Sequence, residues 1–243
     1  MGKQAQVLLV GLLLTILCAL PVRAAQQVNA SDYQAFWLWS GVRPGPELKA
    51  AHTVYLHQGE VVTQQGQAVF VRMGLPVSRL TFPHIWITVR METLAVPDEM
   101  LERMVRLAQR WSQADNQVIG IQIDFDAATH RLDQYSAFLQ RLRTRLPAEY
   151  ALGVTGLLDW AKTGNVATLN ALPVDELVIQ SYQGRQTVNR YADYFPALMG
   201  LRIPFRLGLV QNGHWDQRDE QRLLASPWYR GSVVFMLNAD RGG

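Results

Sequence analysis

Two aspartates at alternate positions of an apolar segment are the residues best suited to chemistry in this sequence. Asp124 and Asp126 end the segment VIGIQIDFD, residues 118–126. In a β-strand both side chains point to the same side, with their Cα atoms about 6 to 7 Å apart. In a poorly solvated site the two carboxylates repel each other, so one of them should keep its proton near neutral pH. Such an acid can protonate the leaving-group oxygen of a glycoside.

The same pair also has a structural interpretation. Asp124 could join Arg90 and Gln122 in a network that ties neighbouring strands together, while Asp126 accepts hydrogen bonds from the amides of the following loop. Perturbed carboxyl groups cluster at functional sites, but structural ion-pair networks perturb the pKa of a carboxyl group as well. The residues alone leave both interpretations open.

Alternation along two segments predicts which polar side chains meet. In residues 84–92 and 118–126, apolar and polar side chains take turns, so each strand has two distinct faces. The apolar face should pack against helices; in the second segment it consists of Ile119, Ile121, Ile123 and Phe125. The polar face should point inward and bring together Arg90, Glu92, Gln122, Asp124 and Asp126.

The elements that must position these residues recur along the whole chain. Segments with strand character lie at 34–40, 53–58, 84–92, 118–126, 151–158, 175–182, 205–211 and 231–238. Helical patterns separate the later ones, which favours parallel pairing and right-handed crossovers. Eight such strands predict an α/β fold, a small (β/α)8 TIM-type barrel, and the short early connections predict an abbreviated or incomplete helical ring. Residues 61–74 should add a hairpin that turns at Gln64–Gly66.

Active sites of such barrels form at the carboxyl ends of the strands. We therefore predict further substrate-binding residues at those ends, in addition to Arg90, Glu92 and Gln122: Trp39, Trp160, Gln180, Tyr182 and Gln211. Aromatic rings there can stack on sugar faces, and amides can hydrogen-bond hydroxyl groups. Trp37 should instead pack the barrel core, and His57 is more typical of a structural histidine.

The amino-terminal residues indicate export. Lys3 precedes an apolar run over 7–20, and Val22-Arg23-Ala24 provides small residues for cleavage, so we expect residues 1–24 to be a signal peptide and 25–243 a single domain. An uncleaved anchor is the alternative. Cys18 is the only cysteine, so the mature chain would contain no disulfide and no thiol nucleophile. We expect a periplasmic or extracellular bacterial protein that does not bind a membrane after cleavage.

Charge and motifs exclude several function classes. The formal charge of +3 includes Lys3 and Arg23 of the signal, and the remaining arginines are scattered, so we expect no nucleic-acid partner. The arginines at 141, 143 and 145 are interpreted as a solvated helix face. Neither a phosphate-binding glycine loop nor a His-Glu-x-x-His motif is present, so we predict no cofactor and no metal. The sequence leaves the oligomeric state open.

Three segments carry a resemblance to a known family. FWLWSGV, VIGIQIDFDAATHRLDQYSAFLQRLRTRLP, and ALGVTGLLDWAKTGNVATL with the following VDELVIQSYQG resemble a bacterial family known as domain of unknown function 3142. That resemblance implies a TIM barrel similar to glycoside hydrolases, without an assigned reaction. GIQIDFD is also similar to the strand-four signature of family 18 chitinases. In this resemblance Gln122 and Asp124 stand at the positions of the signature's two aspartates, and Asp126 stands at the position of its catalytic glutamate. Tyr182 resembles that family's tyrosine beside the substrate acetamido group.

These observations predict an exported carbohydrate-active protein, a glycoside hydrolase with Asp126 as general acid and Asp124 as the residue that tunes it or orients the substrate. The ligand would be a polysaccharide or an amino-sugar glycan. The alternative is a non-catalytic sugar-binding or polysaccharide-assembly factor on a degenerate glycosidase barrel. This alternative is favoured by two differences from the chitinase signature: Asp126 is shorter than the catalytic glutamate, and Gln122 replaces an aspartate. A third alternative is a scaffold whose mouth binds a protein partner.

Overall fold

The computed structural model describes residues 26–43, 45–126, 131–162 and 166–238. The predicted signal peptide lies outside these residues. None of the helices in the described ranges is long and apolar enough to cross a membrane.

Thirteen strands are present in the described part of the chain. They are β1 (Gln26–Gln27), β2 (Ala35–Leu38), β3 (Thr53–Gln64), β4 (Gln67–Arg72), β5 (His84–Met91), β6 (Val118–Asp124), β7 (Ala151–Leu157), β8 (Glu176–Gln180), β9 (Tyr182–Gln183), β10 (Gln186–Thr187), β11 (Phe205–Val210), β12 (His214–Trp215) and β13 (Tyr229–Phe235). The α-helices are α1 (Asp98–Gln113), α2 (Leu132–Arg143), α3 (Leu158–Lys162), α4 (Val166–Asn170), α5 (Phe195–Leu198) and α6 (Gln217–Leu223). Short 3-10 helices occupy Ala30–Asp32, Pro46–Ala50 and Tyr191–Tyr194.

Eight of the strands close into a parallel barrel. In chain order β2, β3, β5, β6, β7, β8, β11 and β13 each pair in parallel with the next, and β13 pairs in parallel with β2. Each of these strands falls on one of the eight predicted segments, so the predicted barrel is confirmed. All eight carboxyl ends therefore open on the same mouth.

The helical ring is abbreviated, as predicted. Only α1 and α2 exceed ten residues among the described helices, and the connection from β2 to β3 contains a 3-10 turn at Pro46–Ala50. The connection from β3 to β5 replaces a helix with β4, which pairs antiparallel with the extension of β3. Gln65 and Gly66 turn this hairpin with φ of 50° and 77°, values that two-residue hairpin turns require.

The core has two layers that follow the alternation along the strands. Ile85 and Ile121 belong to the layer between the strands and the helices, and they are fully buried. Trp37, Tyr55 and Trp86 fill the inside of the barrel. The barrel is therefore a packed core and not a pore, as in other barrels of this kind.

Ile119 lies on a different face of β6 from the one that the sequence predicted. The register between β5 and β6 shifts by one residue, because Ile85 pairs with Val118 whereas Trp86 pairs with Gly120. Such a bulge redirects the extra side chain. Ile119 consequently packs against the cluster inside the barrel, and the prediction that it faces the helices was wrong.

Gly120 lets the site-bearing strand approach its neighbour closely. A Cβ atom at this position would lie 1.9 Å from the carbonyl oxygen of Ala151 on β7. No side chain fits at that distance, so the pairing of β6 with β7 depends on glycine here.

Candidate active site

A cavity of about 600 Å³ opens at the carboxyl ends of the barrel strands. It is lined by Trp37, Trp39, Arg90, Asp124, Asp126, Leu157, Leu158, Asp159, Gln180, Tyr182, Gln183, Gly184, Val188, Tyr194 and Phe235. The structure thus brings together six of the predicted site residues: Trp39, Arg90, Asp124, Asp126, Gln180 and Tyr182.

Asp124 is the last residue of β6 and lies deep in this cavity, with 7% of its surface exposed. Thr155 on β7 donates a hydrogen bond from Oγ1 to its Oδ1 at 2.7 Å, and Gln180 on β8 donates to the same oxygen at 3.4 Å. Hydrogen bonds from two adjacent strands fix the carboxyl group. The second oxygen, Oδ2, accepts no hydrogen bond from the described residues.

Burial raises the pKa of Asp124 to about 6, because the charged form loses its hydration. The hydrogen bond from Thr155 opposes this rise, the negative charge of Asp126 adds to it, and Arg90 opposes it. Asp124 is therefore an acid that keeps its proton in mildly acidic solution and can give it up near neutral pH. This property is the one expected of a general acid.

Asp126 lies two residues further along, beyond the end of β6. Its side chain is 59% exposed and its Oδ2 is 3.8 Å from Nη2 of Arg90, whose side chain is 47% exposed. The buried carboxyl group with the raised pKa is therefore Asp124, whereas the sequence suggested Asp126 for that part. The difference arises from depth in the barrel, because only Asp124 lies within the paired part of the strand.

Aromatic side chains form one wall of the cavity. Trp39 stacks on His57, with ring centroids 3.8 Å apart and planes inclined by 9°. Phe235 contacts both Trp39 and Tyr182, at centroid distances of 5.8 Å and 5.5 Å. His57 is buried, and its burial and the nearby Arg90 lower its pKa to about 4. A neutral imidazole therefore supports Trp39 at neutral pH.

A third carboxyl group lines the cavity from a different element. Asp159 lies at the start of α3, and its Oδ1 accepts a hydrogen bond from Oη of Tyr194 at 3.0 Å. This bond raises the pKa of Tyr194. The described residues contain no group of three His, Cys, Asp or Glu side chains with the arrangement of a metal site.

Trp160 and Glu92 do not line the cavity, which corrects two predicted placements. Trp160 is fully buried between the strands and helices, where its ring meets Tyr135 edge-on at 6.0 Å. Helix α3 begins at Leu158, so neighbouring side chains point in different directions and Asp159 faces the cavity instead. Glu92 follows the end of β5, and its carboxylate accepts a hydrogen bond from the Thr63 amide at 3.1 Å.

Gln122 and Gln211 also lie outside the cavity, and the oxygen of each amide is hydrogen-bonded within the fold, whereas the buried Nε2 of Gln122 has no hydrogen-bond partner among the described residues. Gln122 is fully buried, and its Oε1 accepts hydrogen bonds from Nε1 of Trp37 at 2.6 Å and Oγ1 of Thr88 at 3.2 Å. Oε1 of Gln211 accepts from the Leu237 amide at 2.9 Å and joins the segments after β11 and β13. Trp37 packs in the core, as predicted, and its edge also reaches the cavity.

Several cavity residues were not found from the sequence. Gln183, Gly184 and Val188 belong to the β9–β10 hairpin and its flank, which lie almost entirely after the predicted strand 175–182. Gly184 has φ of 59° and marks the turn. In the sequence, the glycine that follows Tyr182 and Gln183 was the one sign of this turn. Tyr194 and Phe235 carried no signal beyond their aromatic character.

Several solved structures are similar to this chain, and two of them are enzymes. The spore cortex-lytic enzyme SleL of Bacillus cereus has 13% sequence identity and a TM-score of 0.43, over 66% of this chain and 44% of SleL. The ICChI chitinase from Ipomoea carnea has 11% identity and a TM-score of 0.47, over 83% of this chain and 94% of the chitinase. This chain thus matches less than half of the length of SleL. No curated protein sequence matches it.

A family profile matches the central part of the chain. Residues 83–191 match the family described as Domain of unknown function (DUF3142). The matched range includes β5, β6, β7 and β8, together with Tyr182 and the three aspartates that line the cavity, Asp124, Asp126 and Asp159. The resemblance to domain of unknown function 3142 is thereby confirmed over residues 83–191.

Proposed function

We propose that the cavity binds a carbohydrate and hydrolyses a glycosidic bond. The observation that carries this proposal is Asp124, a buried carboxyl group with a pKa of about 6 that lines an open cavity beside a second carboxyl group. Cleavage of a glycoside requires an acid that protonates the leaving oxygen. Asp124 meets this requirement because it lines the cavity and keeps its proton in mildly acidic solution.

The two aspartates then have different roles. Asp124 would be the general acid, which reverses the assignment suggested by the sequence. Asp126 sits near it with an ion pair to Arg90. Its carboxylate would stabilise the positive charge that develops on the sugar ring in the transition state, and Arg90 would hold it in place.

The remaining lining supports a sugar as the ligand. The aromatic wall of Trp39, Tyr182 and Phe235 offers apolar faces on which sugar C–H groups can stack. Gln180 provides an amide for hydroxyl groups. The signal pattern in residues 1–24 supports a substrate outside the cytoplasm, a polysaccharide or an amino-sugar glycan in the periplasm or the extracellular space.

One observation favours a second candidate function, a non-catalytic sugar-binding or polysaccharide-assembly factor. Asp124 ends β6 and Asp126 follows it two residues later, whereas the two carboxyl groups of a glycosidase flank the bond that breaks. The same cavity could therefore hold a sugar without cleaving it.

The experiment incubates residues 25–243 with bacterial polysaccharides and amino-sugar oligomers and detects products by mass spectrometry. Asp124→Asn and Asp126→Asn are the test variants, and Asp133→Asn, an exposed position on α2, is the matched control. We expect wild type and control to release products, activity to fall as the pH rises above about 6, and Asp124→Asn to be slower by at least about 100-fold.

The outcomes separate the candidates. Full activity of Asp124→Asn together with an inactive Asp126→Asn would restore the assignment that the sequence suggested. Sugar binding without products, in wild type and both variants, would contradict catalysis and support the binding factor. Neither products nor sugar binding on the whole panel would contradict both candidates.

A further inference from the structure

A groove of about 510 Å³ on the outside of the barrel is lined only by arginine and glutamine. Its residues are Arg72, Arg103, Arg106, Gln109, Arg110 and Gln113. Positions 103, 106, 110 and 113 share one face of α1 because they recur at helical spacing. Arg72 is the last residue of β4, so the hairpin that replaces the second crossover helix supplies the other wall. The groove and the cavity have no lining residue in common.

The arginines of this groove differ from most others in the chain. Among the described residues, nine arginines outside it form ion pairs with carboxylates. Within the groove, Arg106 alone forms such a pair with a described residue, Glu102, at 3.3 Å. Arg72, Arg103 and Arg110 have no carboxylate partner among the described residues. The groove therefore concentrates positive charge that the described part of the chain does not neutralise.

One of these guanidinium groups is also held in position. Arg103 lies over the ring of Phe70, 4.7 Å from its centroid, a cation–π arrangement. Phe70 is itself buried against the core. This contact fixes a cation at the edge of the groove without using its hydrogen-bond donors, so they stay available to an anion.

We propose that this groove binds an anionic polysaccharide, a linear glycan that carries carboxylate groups. Guanidinium groups match carboxylates in shape and charge, and Gln109 and Gln113 can hydrogen-bond the hydroxyl groups between them. The lining contains no aromatic ring on which a nucleic-acid base could stack. It also contains no apolar side chain of the kind that membrane-surface helices insert.

This inference rests on contacts separate from the cavity, and its test is a binding measurement. Polygalacturonate is the probe, pullulan the neutral control, dextran sulfate the sulfated comparison, and phosphatidylglycerol-containing vesicles the lipid comparison. The groove variant is Arg72→Gln/Arg110→Gln. The matched control, Arg43→Gln/Arg79→Gln, removes the same charge from exposed positions outside the groove. Thermal melts check that both variants fold.

We expect wild type to bind polygalacturonate and not pullulan, and the groove variant to lose about tenfold or more in affinity while the control stays within about twofold. Raising the salt concentration should weaken binding. Equal losses in both variants would overturn the proposal, because binding would then follow net charge alone. Absence of binding, or preference for vesicles or dextran sulfate over polygalacturonate, would overturn it too. Binding that persists in Asp124→Asn would separate this site from the cavity.

Discussion

Asp124→Asn should stabilise the protein at neutral pH while it removes the proposed acid. The pKa of Asp124 rises from 3.8 in the unfolded chain to about 6 in the fold. Between these values the folded state keeps a proton that the unfolded state has lost. The stability that this carboxyl group contributes is therefore complete below pH 3.8 and is lost as the pH rises through about 6.

The magnitude follows from the size of the shift. A difference of about two pKa units corresponds to about 3 kcal/mol, and Asp124 is too deeply buried for solvent to screen much of it. Asparagine has the same shape, and its Oδ1 can still accept the hydrogen bonds from Thr155 and Gln180. The variant should thus be more stable than wild type by up to about 3 kcal/mol above pH 7, and the difference should shrink towards about pH 4.

Urea unfolding of both proteins at about pH 4 and about pH 7.5 measures this difference. Asp126→Asn is the control, since its exposed ion pair with Arg90 contributes at most about 1 kcal/mol. A difference between wild type and Asp124→Asn that is the same at both pH values would refute the reasoning. It would mean that burial does not hold the proton on Asp124, and the proposed acid would lose its physical basis.

Three further predictions concern the frame of the site. Gly120→Ala should lower the free energy of unfolding by about 3 kcal/mol, because its Cβ would meet the Ala151 carbonyl; an unchanged urea midpoint would contradict this. Glu176→Gln should also cost about 3 kcal/mol, since Arg206 donates to that carboxylate at 2.9 Å in a mostly buried pair; a loss under about 1 kcal/mol in the same assay would argue against it. His57 has a pKa lowered to about 4, so the unfolded chain takes up a proton first as the pH falls below 6.5. Compared with His57→Phe, wild type should lose up to about 3 kcal/mol between pH 6.5 and about 4, and parallel stability curves would refute it.

The barrel and the pairing of the two aspartates could be predicted because they depend on local patterns. Successive side chains of a strand alternate, so Asp124 and Asp126 were expected on one side of the strand; both do line the cavity, although β6 already ends at Asp124. The carboxyl ends of parallel strands meet at one mouth. Arg90 and Asp124 are in fact direct neighbours in the register of β5 and β6.

The residue at which each strand stops pairing with its neighbours could not be predicted from the sequence. Glu92 continues the alternation of Arg90, yet β3 extends past the barrel into a hairpin and takes up its carboxylate. Trp160 follows a strand, but the chain becomes helical at Leu158 and turns the ring away. The bulge at Ile119 likewise depends on the partner strand. Each of these facts concerns two segments distant in sequence.

Depth in the barrel explains why the two aspartates differ in burial. Three polar residues, Gln122, Asp124 and Asp126, lie at successively shallower depths, and the cost of burying a charge falls in the same order. The neutral amide of Gln122 lies deepest, fully buried and hydrogen-bonded through Oε1. Asp124 comes next, where its charge would be costly and its pKa rises. Asp126 reaches the rim, where water and Arg90 can stabilise a charge. A carboxyl group at position 122 would lack this solvation, since burying an unpaired charge costs far more than burying a hydrogen-bonded amide. The order Gln, Asp, Asp thus fits a chain segment that rises from a packed core to an open cavity, and it places Asp124, the proposed acid, between Gln122 and Asp126.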